Sequence, residues 1–175
     1  VLADVRGDLH IDLAHASSLV TSKTAAIMAV HIYGTACDME NVVKFGAIHN
    51  IKVIEDAAQA IGVTWAGKHC GTFGDVGTFS FFADKTITTG EGGYVVTNDE
   101  HIYQNLLFLR NQGRIERGSF IHPEIGYNFR ITDLQAAVGL AQLSKLETIV
   151  EKKLQIYNRY SEQLTNQNFS ILQPN

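Results

Sequence analysis

Two apolar stretches, Thr78–Phe82 and Tyr94–Thr97, bracket a Thr- and Gly-rich turn that carries one lysine, Lys85. Both stretches are short and rich in aromatic or β-branched residues, the pattern of strands in a covered sheet. A lysine between two buried strands is costly, because desolvation disfavours its charged form. The same burial makes the neutral amine a nucleophile that can condense with a carbonyl. The commoner arrangement is a lysine that snorkels out of a loop. Gly90, Gly92 and Gly93 beside it, and an acid upstream, set Lys85 apart.

The surrounding pattern alternates strand-like and helical periods. Ile11–Leu19 predicts a short helix. Ala25–Tyr33 is a nearly continuous apolar run ended by Gly34, which predicts a strand buried on both faces, as in a parallel sheet. Asp38 is placed to N-cap a helix running to about Asn50. Lys52–Asp56 reads as a short strand that ends in two acids. Gly67, Gly71, Gly74 and Gly77 then punctuate a loop-rich section. Thr97-Asn-Asp-Glu100 has capping-box spacing, and the helix behind it should reach about Asn111, with Gly113 as its stop. The segment Arg114–Tyr127 is polar and irregular. Thr132-Asp-Leu-Gln135 is a second capping box, opening the longest helical pattern through Leu134, Ala137, Val138, Ala141, Leu146, Ile149 and Leu154. Residues 166–175 lose that pattern and read as a connection. This alternation predicts an α/β, three-layer αβα architecture around a mostly parallel sheet.

A chain of 175 residues with 45% apolar content is enough for one domain with a real core. Its net charge of -4 argues against bulk electrostatic binding to nucleic acid or an anionic membrane surface. Seven histidines are scattered, and none stands in metal-ligand spacing with a cysteine, so no metal is expected. Cys37 and Cys70 are single and far apart in sequence, which predicts reduced, partly buried thiols of a cytoplasmic protein. No apolar run approaches the length of a membrane span.

In a parallel α/β sheet, ligands gather at the carboxyl ends of strands. Asp56, Ser80 and Lys85 fall at such ends. An acid and a lysine on neighbouring strand ends have two common uses. One is a structural ion pair. The other is a pyridoxal phosphate (PLP) site, in which the lysine forms the Schiff base and the acid pairs with the pyridinium nitrogen. Other phosphate sites fail on detail: no lysine–serine pair closes Gly90–Gly93 as a P-loop, and no Gly-x-Gly-x-x-Gly opens a helix. Ser80 lacks a nucleophile elbow. Both readings of the acid–lysine pair stay open on these grounds.

Three stretches carry a resemblance: Val53-Ile-Glu-Asp-Ala-Ala-Gln-Ala60, Gly74-Asp-Val-Gly-Thr-Phe-Ser-Phe-Phe82 and Lys85-Thr-Ile-Thr-Thr-Gly-Glu-Gly-Gly93. Together with His31–Gly34, Val95–Asp99 and Gly126–Ala137, they strongly resemble the DegT/DnrJ/EryC1/StrS aminotransferases. These are PLP-dependent sugar aminotransferases of the aspartate aminotransferase fold (fold type I). The resemblance implies that residues 1–163 are the central part of an incomplete PLP-binding large domain with its long bridging helix. It implies that residues 164–175 begin the connection to a small C-terminal domain. By the same resemblance Lys85 is the catalytic lysine and proton shuttle, Asp56 the pyridinium partner, and Gln59 a contact to the ring and its phenolic oxygen. Ser80 is a donor to the cofactor phosphate. Asn128 is implied to reach that phosphate from the second subunit of a homodimer. Read without the resemblance, Asn128 is an ordinary turn residue.

The implied reaction moves the amino group of a donor, usually L-glutamate, to a keto group on a nucleotide-linked sugar, for amino-sugar and O-antigen-type polysaccharide biosynthesis. Lys85-Thr-Ile-Thr-Thr-Gly90 with His122–Asn128 looks more like the perosamine synthase branch, which aminates C4 of a GDP-linked 4-keto-6-deoxy sugar. Asp84 stands where that branch would carry asparagine. UDP- and dTDP-linked keto sugars remain alternatives. So does a non-catalytic, regulatory protein on the same scaffold. The related sugar dehydratases replace the lysine by histidine, and Lys85 argues against them. Tyr33 and Phe82 are expected to pack, and His31 to be a satisfied core histidine.

Overall fold

The structure, a computed structural model, describes residues 1–115, 118, 120–164 and 170–172. Its strands are β1 (Ala26–Val30), β2 (Lys52–Asp56), β3 (Thr64–Trp65), β4 (Lys68–His69), β5 (Val76–Ser80) and β6 (Gly93–Val96). The helices are α1 (Leu13–Leu19), α2 (Met39–His49), α3 (Glu100–Arg110), α4 (Asp133–Leu143) and α5 (Leu146–Gln163). The main sheet has the order β1–β2–β5–β6, and β3 and β4 form a separate two-stranded hairpin. Strands β1, β2 and β5 run parallel, while β6 returns antiparallel to β5. A mostly parallel sheet flanked by helices is the fold type I large-domain pattern, here in incomplete form.

Local chemistry sets most element ends. The Asp38 carboxylate accepts from Asn41 N–H and starts α2, which stops at Asn50 in the left-handed conformation. Strand β2 begins two residues later. The Thr132–Gln135 capping box forms in full at the start of α4. At α3 the cap is Asp99, which accepts from His101 and Ile102 N–H, rather than Thr97. The Thr97 hydroxyl is drawn away to the Asp75 carbonyl at 2.7 Å, so a tertiary contact outcompetes the local box. The long helical pattern after Thr132 is also two helices, broken at Ser144–Lys145.

Register decides what each strand face meets. Ile27 pairs with Val53, Ala29 with Glu55, and Glu55 with Gly77. These residues and Phe79 form one buried face. Helices α1 and α2 cover part of it with Ala16, Met39, Val42 and Phe45. Helix α2 can approach closely because Gly46 lies on Val53, where an added Cβ would come within 2.5 Å of Val53 Cγ2. A second cluster around Ala57, Ile61, Cys70, Phe79 and Ile87 is covered by Leu146 and Ile149 of α5.

On the opposite face Met28 and Val30 are exposed. Strand β1 is therefore buried on one face, not on both, and it is shorter than its apolar run. Residues Ile32–Gly34 leave it in a single 3-10 turn with Tyr33 in a left-handed conformation (φ 54°). Tyr33 and Phe82 are exposed rather than packed. Cys37 and Cys70 are both free and fully buried. Of the stretch expected to be a connection, residues 165–169 and 173–175 lie outside the described residues. Among the described residues, no helix is long and apolar enough to cross a membrane.

Candidate active site

The parallel strands end side by side, and their open face gathers polar groups. Val30 pairs with Asp56 and Asp56 with Thr78; Ser80, two residues on, shares that face because side chains alternate along a strand. The Asp56 peptide is pinned on both sides. His31 N–H donates to its carbonyl at 3.0 Å, and Ala57 N–H donates to the Thr78 carbonyl at 2.8 Å. Asp56 Oδ1 accepts from Ala58 N–H at 3.0 Å, turning the chain away from the strand. Among the described residues no hydrogen bond is made to Oδ2. Ser80 Oγ accepts from Phe82 N–H at 3.2 Å, which leaves its own hydrogen free to donate.

Lys85 sits in a turn laced to the end of β5. The Phe81 carbonyl accepts from Thr89 N–H at 3.0 Å and from the Thr88 hydroxyl at 2.9 Å. Lys85 is mostly covered, and its Nζ lies 3.6 Å from Oδ1 of the exposed Asp84. A cleft of about 800 Å³ opens beside it, with Gln59, Asp84, Lys85 and Thr86 on one wall and Lys153 and Tyr157 of α5 on another. Lys153 Nζ donates to Thr86 Oγ1 at 3.2 Å. Gln59 Oε1 accepts from Tyr33 N–H at 2.7 Å, holding the strained turn after β1 against the cleft.

The structure thus brings Gln59 and Lys85 into one cleft, and places Asp56 and Ser80 together on the adjoining sheet face. Neither Asp56 nor Ser80 lines the cleft itself. Asn128 is elsewhere: it bridges Asn111, is exposed, and accepts from Arg130 Nε at 3.1 Å.

Sequence reasoning read Glu55 only as one of two acids at a strand end. Its side chain is fully buried under the sheet. Burial alone would raise the pKa of its carboxyl, but hydrogen bonds from His31 and from Gly74, Gly71 and Phe73 N–H hold it below its ordinary 4.5. The available signal was alternation, since of two consecutive strand acids only one can face out. Nearby, burial pushes the Cys37 thiol up to about 12 and the Cys70 thiol up to about 11, which makes both poor nucleophiles.

Residues 1–175 match the DegT/DnrJ/EryC1/StrS aminotransferase family, and the chain belongs to it. GDP-perosamine synthase of Escherichia coli O157:H7 is 48% identical over 147 residues, which cover 84% of this chain and 40% of that protein. Helicobacter pylori PseC, an aminotransferase involved in the biosynthesis of pseudoaminic acid, matches with a TM-score of 0.89 at 32% identity. That match covers 95% of this chain and 45% of PseC. The E. coli GDP-4-keto-6-deoxy-D-mannose-3-dehydratase with bound hydrated PLP matches with a TM-score of 0.78 at 30% identity, over 92% of this chain and 47% of that one. The chain spans less than half the length of each of these proteins.

PLP is the cofactor of the family, and the donor set fits it. Asp56 offers an uncommitted carboxylate oxygen for a protonated ring nitrogen, Ser80 an uncommitted hydroxyl hydrogen for a phosphate, and Lys85 an amine beside a cleft.

Proposed function

We propose that this chain carries the lysine and the nitrogen-side pocket of a PLP-dependent sugar aminotransferase. Its substrate would be a nucleotide-linked keto-deoxy sugar, with L-glutamate as amino donor. The observation that carries the reading is the grouping at the sheet's carboxyl end: Asp56 and Ser80 on one face, with the Lys85 turn leaving the same strand, β5. When bound, PLP supplies the electron sink for the substrate carbon. Asp56 would keep the ring-nitrogen proton in place. Ser80 would donate to the phosphate, and Gln59 would hold the ring on its other side. Lys85 Nζ would take the proton from the substrate carbon and return it. For that step the amine must be neutral.

The substrate closest to the relatives' chemistry is a GDP-linked 4-keto-6-deoxy sugar, since the GDP-perosamine synthase likeness is the strongest of those described above. Lys85 favours amination over dehydration. Asn128 would complete the phosphate site of a second copy in a homodimer. Its neighbours Ile125, Tyr127 and Phe129 are exposed and suit burial against that copy. Buried, free thiols agree with a cytoplasmic enzyme.

Absorption spectra test the cofactor role. The full chain mixed with PLP should show the visible band of lysine-bound cofactor, and Lys85→Ala should lack it. A wild-type chain with no such band would refute the reading. Mass detection of amino sugar after adding L-glutamate and GDP-, UDP- or dTDP-linked keto sugars then identifies the substrate, and no product from any of them would refute the transamination.

A further inference from the structure

Glu55 and His31 lie under the sheet, away from the cleft, and the inference drawn from them rests on the cofactor reading above. Glu55 serves four donors. Its Oε1 accepts from Phe73 N–H at 2.6 Å and Gly74 N–H at 2.7 Å. Its Oε2 accepts from Gly71 N–H at 2.6 Å and from His31 Nε2 at 3.1 Å. The His31 tautomer follows from its other nitrogen. Nδ1 accepts from Cys37 N–H at 3.1 Å, so the proton of the neutral ring is on Nε2 and points at Glu55. Both side chains are completely shielded from solvent.

His31 also donates its backbone N–H to the Asp56 carbonyl at 3.0 Å. One residue therefore grips both members of the Glu55–Asp56 pair, Glu55 through its ring and Asp56 through its backbone. Strand β1, the end of β2 and the Gly71–Gly74 loop converge on a single carboxylate. Burying that charge is expensive, and an apolar residue of the same shape often gives equal or better stability. What the charge adds is geometric specification. Four donors arriving from two segments, His31 and the Gly71–Gly74 loop, define one position for the strand end, and Asp56 leaves that strand end on the opposite face.

We propose that Glu55 and His31 are positioning residues for the cofactor: a latch beneath the sheet that fixes where Asp56 presents its carboxylate to the PLP ring nitrogen. A binding group of this kind must be held to within about 0.5 Å, by partners whose own positions are locked. His31 acts as a neutral donor–acceptor relay, and Glu55 as the charged anchor.

The test uses two substitutions of His31 in the full chain, read by absorption and not by turnover. His31→Asn keeps an acceptor near Cys37 N–H but is too short to reach Glu55, which retains its three backbone donors. His31→Gln restores a donor to Glu55. The quantities measured are the PLP dissociation constant and the pH at which the visible band titrates, which depends on the charge held at the ring nitrogen. Both are normalised to the folded fraction. His31→Asn should bind PLP roughly tenfold to a hundredfold more weakly, by analogy with removing the outer hydrogen-bond partner of a metal ligand. Its titration should shift in the same direction as that of Asp56→Asn, and His31→Gln should recover most of both. If Asn and Gln variants bind alike and titrate like wild type, with only the melting temperature lowered, the pair is a structural staple and the proposal is overturned. A wild-type chain with no Lys85-dependent band would instead overturn the cofactor reading, and the latch with it.

Discussion

Around Glu55, at the carboxyl end of β2, the molecule is sealed; in α3, α4 and α5 no residue is buried. The first region holds His31, Cys37 and Cys70 out of solvent along with a carboxylate, and closes its polar groups on one another. The second has side-chain N-caps on α3 and α4 and an amphipathic pattern, yet Leu134 is 83% exposed and Leu140 70% exposed. Hydrophobic periodicity makes a helix, but burial needs a surface to meet. The sealed region finds its partners within the chain. In the helical region, α5 touches the core with Leu146 and Ile149, while Leu109, Leu134, Val138, Leu140, Leu143 and Ile156 are exposed.

If the two regions differ as described, substitutions should separate them sharply. Glu55→Ala should cost most, about 3–5 kcal/mol, because it strands four buried donors. A urea unfolding curve shifted by under ~1 kcal/mol would show that the network is not sealed. The same carboxylate predicts an acid limb. Its folded pKa lies below the ordinary 4.5, so its stabilisation is fully present above about pH 4.5 and is lost as pH falls through the lower folded value. Thermal melts from about pH 6 downward should show this limb in wild type and a flatter one in Glu55→Gln.

Met39 is wholly buried beneath the sheet. Met39→Ala should lose about 3 kcal/mol from vacated core volume, measured by the same denaturant curves. Asp38→Ala, which deletes the α2 cap, should lose about 1 kcal/mol. Leu140→Ala in α4 should change the stability of an isolated chain by less than about 0.5 kcal/mol. A larger loss at Leu140 that grows with protein concentration would show that a second copy covers this helix.

Several parts of this architecture were legible in residue order. The α2 cap at Asp38 and the capping box at Thr132 rest on contacts within a few residues, which propensity rules describe well, and β2 showed as a short run between turn signals. Lys85 was legible too, as a lone cation in a glycine-rich turn between two apolar runs. What residue order hid had distant partners. Thr97 gave up its cap to bond Asp75, 22 residues away. Ser144–Lys145 broke a periodic pattern with no Gly or Pro at the break, the one glycine, Gly139, lying inside α4. Tyr33 ended an apolar run in a left-handed turn because Gln59, 26 residues on, takes its N–H.

By itself the sequence determined the alternation of strand and helix patterns, the family, and the residue types available to hold a cofactor, because each is written in local pattern and short motifs. Only the tertiary structure decided that of two adjacent acids Glu55 is locked beneath the sheet while Asp56 stays on its open face. Glu55 and Asp56 are alike in charge and in sequence surroundings. Their fates part because the register with Ala29 and Gly77 turns Glu55 inward, onto donors 16 to 24 residues away.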